Sequence, residues 1–466
     1  MQHLVSPVDG STIASRELAT PSQIEAVLQR AADSQKIWRT TPIAERAAAI
    51  ERMVQVMERD AFEIATELTW QMGRPVRYTP NEILWGFQER ARYMSSIAVS
   101  NLSDIATPQV DGFTKWIQRE PLGTVLVVAP WNYPYLTAVN SIVPALLAGN
   151  TVVLKHASQT MLCAERLQAA FDATGLPAGV FQHVHASHTL VDSMIKDSRI
   201  NFVVFTGSVD GGTSMERSAA GRFIGVATEL GGKDPSYVRA DADINYAIGE
   251  NVDGTFFNSG QSCCAIERIY VHEHVYDNFV EGFVDATRAY VLGNPLQSDT
   301  TIGPMVNTAA AEFVRKQIAG ALAVGARALV TERDFAASQP ATPYLGPTVL
   351  VDVDHTMSVM RDESFGPVIG IVKVRSDDEA VALMNDSQYG LTASIWTNDL
   401  DVATALGNRI ETGTVYMNRC DYVDPHLVWT GVKNTGRGIA LSSRGFDPYI
   451  RLKSFHLKHP AKEANS

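Results

Sequence analysis

Cysteine is scarce in this chain. Only four occur in 466 residues, at positions 163, 263, 264 and 420. None belongs to a C-x-x-C pair, and the two neighbours are poorly placed to bridge each other. A disulfide framework and a zinc knuckle are therefore excluded as organising devices, and a reducing compartment is expected. Basic charge is also in deficit. The formal net charge of −12 argues against general binding to nucleic acid or to an anionic membrane. Long apolar runs are missing too. The most apolar stretch, 124–154, is interrupted by Asn132, Asn140, Ser141, Gly149, Asn150 and three prolines. A spanning helix would need about 20 mostly apolar residues in a row. The first residues lack a basic n-region and an apolar h-region. There are no internal repeats and no low-complexity segment. These absences together predict a cytoplasmic protein whose partner is a small molecule, with no nucleic acid, membrane or metal.

What is present reads as α/β. The length suggests two or three domains, and 45% apolar with 19% charged residues is ordinary globular composition. Helical spacing runs through 21–38, where Ile24, Val27, Leu28, Ala31 and Ala32 repeat, then 44–67 and 82–98. Then β-branched runs begin, at 123–129, 151–155 and 201–205. Helical segments lie between and around them, at 136–147, 161–174 and 187–196. Such alternation predicts a parallel sheet covered by helices. Beyond about residue 230 a second series starts: helix 244–259, strand 268–272, helices 275–292 and 308–323, strands 358–359 and 368–374, helix 378–385, strand 394–396. Segments 112–119 and 449–458 read as extended arms.

Four short segments carry chemistry-bearing residues. Phe-Phe-Asn-Ser-Gly-Gln-Ser-Cys-Cys, 256–264, places a thiol just after a helix end and a glycine. Such a thiol is either an exposed nucleophile with backbone dipoles near it or a buried structural cysteine. Thr-Glu-Leu-Gly-Gly-Lys, 228–233, puts a carboxylate before a sharp turn. It would serve as a general base if it reached a water beside the thiol; otherwise it is a solvated loop acid. Ala-Pro-Trp-Asn-Tyr-Pro, 129–134, follows a core strand, where open α/β sheets bind ligands. Its asparagine amide suits a developing oxyanion. Phe-Thr-Gly-Ser-Val-Asp-Gly-Gly, 205–212, is a strand and glycine-rich turn whose N–H groups would suit a pyrophosphate.

Taken in order, Trp131-Asn132, Lys155, the Phe-Thr-Gly-Ser turn, Glu-Leu-Gly-Gly-Lys and Gly-Gln-Ser-Cys resemble the aldehyde dehydrogenase superfamily, as does Glu-Ser-Phe-Gly-Pro-Val, 363–368. The resemblance covers nearly the whole chain. It implies a Rossmann-like cofactor domain with five main strands (1–105 and 122–231), a second α/β catalytic domain (232–447), and small oligomerisation arms (106–121 and 448–466). It implies Cys263 as nucleophile, with Cys264 its neighbour, and Asn132 with the cysteine N–H as oxyanion hole. Glu229 would activate water to hydrolyse the thioester. NAD or NADP would be held by Trp131, Lys155, Ser158, Gly207, Ser208, Gly212, Leu230, Glu363 and Phe365. A homodimer or homotetramer is implied.

Departures from the family pattern narrow these expectations. Ser158 stands where NAD-preferring members carry a ribose-binding glutamate, so repulsion of a 2′-phosphate is relieved. Ala440 replaces an assisting carboxylate, which leaves the base role to Glu229. The 418–426 loop is unusually polar, and Asn140, Thr137 and Gly86 replace larger residues, so a wide, wet tunnel is expected. Arg419 either clamps a substrate carboxylate or sits in the tunnel wall. His183, His185 and His188 resemble a metal cluster, but an exposed loop is the expected reading. The rival functions are a succinate-semialdehyde-type dehydrogenase, a CoA-acylating dehydrogenase, and a catalytically silent structural protein of the same fold.

Overall fold

The computed structural model describes residues 1–460; the last six positions of the C-terminal arm lie outside it. Two large sheets organise the chain. The first has five parallel strands in the order 181–183, 151–156, 124–129, 200–206, 225–229. Its central strand, Thr124–Ala129, is buried at every position, which is why it is a continuous apolar run rather than an alternation. Helices cover both faces. Helix Pro21–Trp38 begins with a capping box between Thr20 and Gln23 and has proline at its first position. Helix Pro134–Leu147 is buried nearly all round.

The second sheet has seven strands, ordered 327–330, 348–351, 368–374, 266–272, 234–238, 392–396, 414–417. Only the first pair is antiparallel. A separate three-stranded sheet pairs Ile450–Lys458 with Phe113–Pro121, residue for residue over nine positions, and adds Ile105–Ala106. Both extended arms read from the sequence are therefore strands, and they pair with each other. The chain is an α/β protein, as its strand–helix alternation predicted. None of the described helices is long and apolar enough to cross a membrane.

Several local expectations are corrected. Residues 44–67 form two helices, Ile43–Arg59 and Ala61–Met72, because the chain turns at Asp60. Residues 358–359 are not a strand. Ser358–Arg361 is one helical turn, closed by Asp362 N donating to Ser358 O, and it packs Met360 against Gly370. The helix expected over 82–98 starts as a π-helical turn, Glu82–Phe87, and continues as Gln88–Leu102. The helix expected to reach 259 stops at Phe256; Asn258 and Ser259 then adopt left-handed backbone, with φ of 53° and 58°. The strands at 2–5, 12–16, 181–183, 225–229, 234–238, 327–330, 348–351 and 414–417 were not expected from the sequence.

Candidate active site

The carboxyl ends of the parallel strands supply the framework. In register, Val128 lies between Lys155 and Phe205. The segments that follow, carrying Trp131-Asn132, Ser158 and Gly207-Ser208, thus leave the same edge of the sheet, the edge where such sheets bind ligands. Ser208 caps helix Val209–Ala219 by accepting from Gly211 N. Gly207 N donates to Glu229 O at 3.1 Å, which ties this turn to the next strand. Gly212 packs so closely on Leu230 that a Cβ there would meet its methyls at 2.8 Å. Lys155 is buried, and that burial lowers its pKa.

A cavity of about 770 Å³ opens beside this edge. Cys263, Cys264, Glu229, Leu230, Thr137, Asn140, Gly86 and Arg419 all line it. The thiol and the carboxylate that stood apart in the sequence therefore face one space. Three glycines make the approach possible. Gly260, at φ 69°, lets the cysteine loop lie against Gly366 O; Gly232 lets the glutamate loop lie against Cys263 O; Gly438 leaves room for Glu229 Cγ. A Cβ at Gly232 would come within 2.4 Å of Cys263 O.

Asn132 is tied to the cysteine loop. It is buried, and its Nδ2 donates to Gln261 O at 3.2 Å. An amide nitrogen has two N–H groups, so one anchors the side chain to the cysteine loop and the other is left over. The anchor is reinforced. Asn258 donates to both Asn132 O and Gln261 O, a geometry its left-handed backbone permits. Arg74 donates to Asn132 O and to Asn258 Oδ1, and it pairs with buried Glu82 at 2.5 Å. Glu82 in turn accepts from Tyr135 N and Leu136 N, which caps helix Pro134–Leu147.

The charges in the cavity are shifted by desolvation. Burial pushes the Glu229 carboxyl up to about 7, while Arg90 nearby pulls it down. Asp421 is likewise pushed up to about 7 by burial, and it accepts from Cys264 Sγ at 2.9 Å and from Ser262 Oγ at 3.2 Å. This contact gives Cys264 a fixed partner and raises its pKa, its hydrogen bond to Cys263 being the largest cause. Glu363 accepts from Gly232 N at 3.0 Å, and burial beside Glu267 takes its carboxyl up to about 8. Phe365, at φ 50°, meets the Trp131 ring edge-on at 5.5 Å between centroids. Its N–H and that of Ser364 both donate to Glu267, which also pairs with buried Lys233.

Some sequence candidates play other parts. Ser158 is exposed and opens a short 3-10 turn. Trp131, Asn132, Lys155, Ser158, Gly207, Ser208, Gly212, Glu363 and Phe365 lie outside the lining of the cavity. His183 contacts Gln168 and His185 contacts Glu165. Arg419 stacks its guanidinium 3.5 Å from the Tyr422 ring centre. Arg74, Glu82, Arg90, Asn258 and Asp421 escaped sequence reasoning. For Asn258 the signal was its place in the cysteine segment; Arg74 in a loop, Glu82 at a π-helical turn and Arg90 on a helix carry no motif.

The comparisons with known proteins agree on one family. The model of the aldehyde dehydrogenase family matches residues 2–455. The chain belongs to that family. It is 34% identical over 453 residues to an aldehyde dehydrogenase of Paenarthrobacter nicotinovorans, covering 97% of this chain and 98% of that one. It is also 34% identical to an NAD(P)+ succinate semialdehyde dehydrogenase of Escherichia coli K12, covering 97% and 96%. Among solved structures, succinic semialdehyde dehydrogenase of Streptococcus pyogenes with NADP+ superposes with a TM-score of 0.93 at 28% identity, over 98% of this chain and all of that one.

Proposed function

We propose that this NAD(P)-dependent aldehyde dehydrogenase forms a thioester on Cys263 and hydrolyses it with water activated by Glu229. The observation that carries the reading is the single cavity that Cys263 and Glu229 share, with Asn132 fixed to the cysteine loop. Cys263 attacks the aldehyde carbon, and the carbonyl oxygen takes the negative charge. The free N–H of Asn132, with the backbone N–H of Cys263, stabilises that charge, an effect typically worth about 3–4 kcal/mol. The bound nicotinamide supplies the two-electron oxidant. What remains on Cys263 is an acyl thioester, which Glu229 resolves by taking a proton from water as the oxygen adds to the acyl carbon. A carboxyl with a pKa near 7 is well matched to that task at neutral pH.

The residues present suit a dinucleotide. The capped N-terminus of helix Val209–Ala219 stands at the strand ends, and it suits a pyrophosphate. Lys155 is a buried cation beside it in register, suited to the adenosine ribose, and exposed Ser158 leaves room for a 2′-phosphate. Glu363, Phe365, Trp131 and Leu230 would meet the nicotinamide half. Residues 1–105 and 122–231 form the cofactor domain in this reading, 232–447 the catalytic domain, and the two arms the contacts of a cytoplasmic homodimer or homotetramer. A base in the cavity favours water over CoA as acyl acceptor. A succinate-semialdehyde-type enzyme is the narrower form of the same reading, favoured by the names of several relatives.

The test is Glu229→Gln, which keeps size and hydrogen bonding and removes the base. A burst of reduced cofactor followed by slow turnover is expected, with an acyl adduct on the Cys263 peptide by mass spectrometry. Normal turnover with no adduct would mean that water is activated elsewhere. A requirement for CoA in the unaltered enzyme would sink the hydrolytic step.

A further inference from the structure

The cavity wall holds a cation to which the reaction above gives no part beyond its pull on the Glu229 carboxyl. Arg90, on helix Gln88–Leu102, lines the cavity and is 8% exposed. Its Nη1 donates to Leu136 O at 2.8 Å and to Asn140 Oδ1 at 3.4 Å. Its Nε is buried with no partner, and its Nη2 donates to none of the described residues. Of the other buried guanidiniums, Arg46 also lacks partners at Nε and Nη1 but lies away from the cavity, whereas Arg74 and Arg268 are satisfied. Arg74 pairs with Glu82, and Arg268 donates to Lys233 O and Met384 O. A buried cation with a free donor edge is costly unless something brings acceptors to it.

The free edge has a defined shape. Nε–H and Nη2–H form the side-on fork of a guanidinium, which fits the two oxygens of a carboxylate. The Nη1 contacts hold that fork in one orientation. It also shares a space with the thiol. Arg90 and Cys263 line the same cavity, and Arg90 is fixed to the helix that follows the Asn132 segment through Leu136 O and Asn140 Oδ1. The same lining includes apolar Leu84, Leu136 and Phe257 and the carboxyls of Glu89, Glu229 and Asp421. Arg419, the other arginine of the cavity, is exposed and already stacked on Tyr422.

The geometry points to Arg90 as the residue that selects substrate: it takes, side-on, a carboxylate at the far end of a short-chain aldehyde. This rests on Cys263 being the nucleophile. The test compares kcat/KM for 4-oxobutanoate with that for butanal, which has the same chain length without the charge. The native enzyme should prefer the carboxylate. Arg90→Met should lower the carboxylate-to-neutral ratio by roughly 10- to 100-fold, and Arg90→Lys, which keeps charge and loses the fork, should fall between. Arg419→Gln should move the ratio far less. Succinate binding to the Cys263→Ala protein, followed by calorimetry, supplies a readout without turnover, and Arg90→Met should remove it. Succinate binding through Arg90 in a protein that oxidises no aldehyde would count against the reaction and uphold this site. An unchanged ratio, or succinate binding indifferent to Arg90, overturns it. If Arg90→Met does not fold, Arg90→Lys carries the same comparison.

Discussion

Two adjacent thiols with different surroundings pose the first question at the scale of single residues. Cys263 is half-buried at the cavity, whereas Cys264 is buried and donates to Asp421. A thiol held by a carboxylate that itself titrates near 7 is disfavoured as a thiolate, because a like charge would form beside it. Cys263→Ala should abolish aldehyde oxidation, and Cys264→Ala should retain most of it; full activity of the Cys263 variant would end the covalent reading. Glu229 adds a pH signature. Its carboxyl is raised to about 7, so it is protonated and idle below that value and becomes a base above it. Deacylation should therefore rise with pH through about 7, and Glu229→Gln should erase that limb. Ser158 decides a different matter. It is exposed, and with the proposed adenosine ribose beside it a carboxylate there would repel a 2′-phosphate, so Ser158→Glu should raise KM for NADP selectively over NAD. Equal effects on both cofactors would refute that placement.

Elements succeed where residues alone are mute. The strands 124–129, 151–156 and 200–206 were legible because burial on both faces leaves an unbroken β-branched run. The arms were legible as extended segments, though not that they pair with each other. Cys263, Glu229 and the glycine-rich turn could be singled out as candidates because each sits in a short contiguous motif. Arg74, Glu82 and Arg90 were not. Their meaning comes from what faces them across the fold, and no local pattern records that Glu82 caps a helix beginning 52 residues later in the chain. Left-handed Asn258 and Ser259 were lost for a related reason: tertiary contacts to Asn132 and Gly303 override the helical pattern before them. The Glu82 network makes its own prediction. Glu82→Ala strands the Arg74 charge in the interior and removes a cap, so stability should fall by about 3–5 kcal/mol. Because Arg74 also holds Asn132 O, activity measured well below the melting transition should drop as well. Loss of stability with kcat intact would separate the cap from the oxyanion site.

Across the whole molecule, the arms are the feature with least to do in a single chain. Ile450–Lys458 lies at the outer edge of its three-stranded sheet, paired on one side only among the described residues. An exposed edge of nine residues is a template for another strand unless something blunts it. Here Leu452 is 62% exposed and Leu457 49%, while the Trp116 and Phe455 rings stack 4.2 Å apart within the same sheet. Arg451 and Lys453 pair with Glu120 on the neighbouring arm strand, and Glu120 also pairs with Arg39, which ties the sheet to the body of its own chain. An arm so fixed, presenting apolar side chains and free backbone groups, suits a second copy of the protein. Leu452→Glu with Leu457→Glu should therefore shift the mass measured by light scattering toward that of one chain. The cavity residues lie on other elements, so the circular dichroism of the folded chain should persist in the dissociated form. A mass unchanged by both substitutions would place the subunit contact elsewhere on the surface.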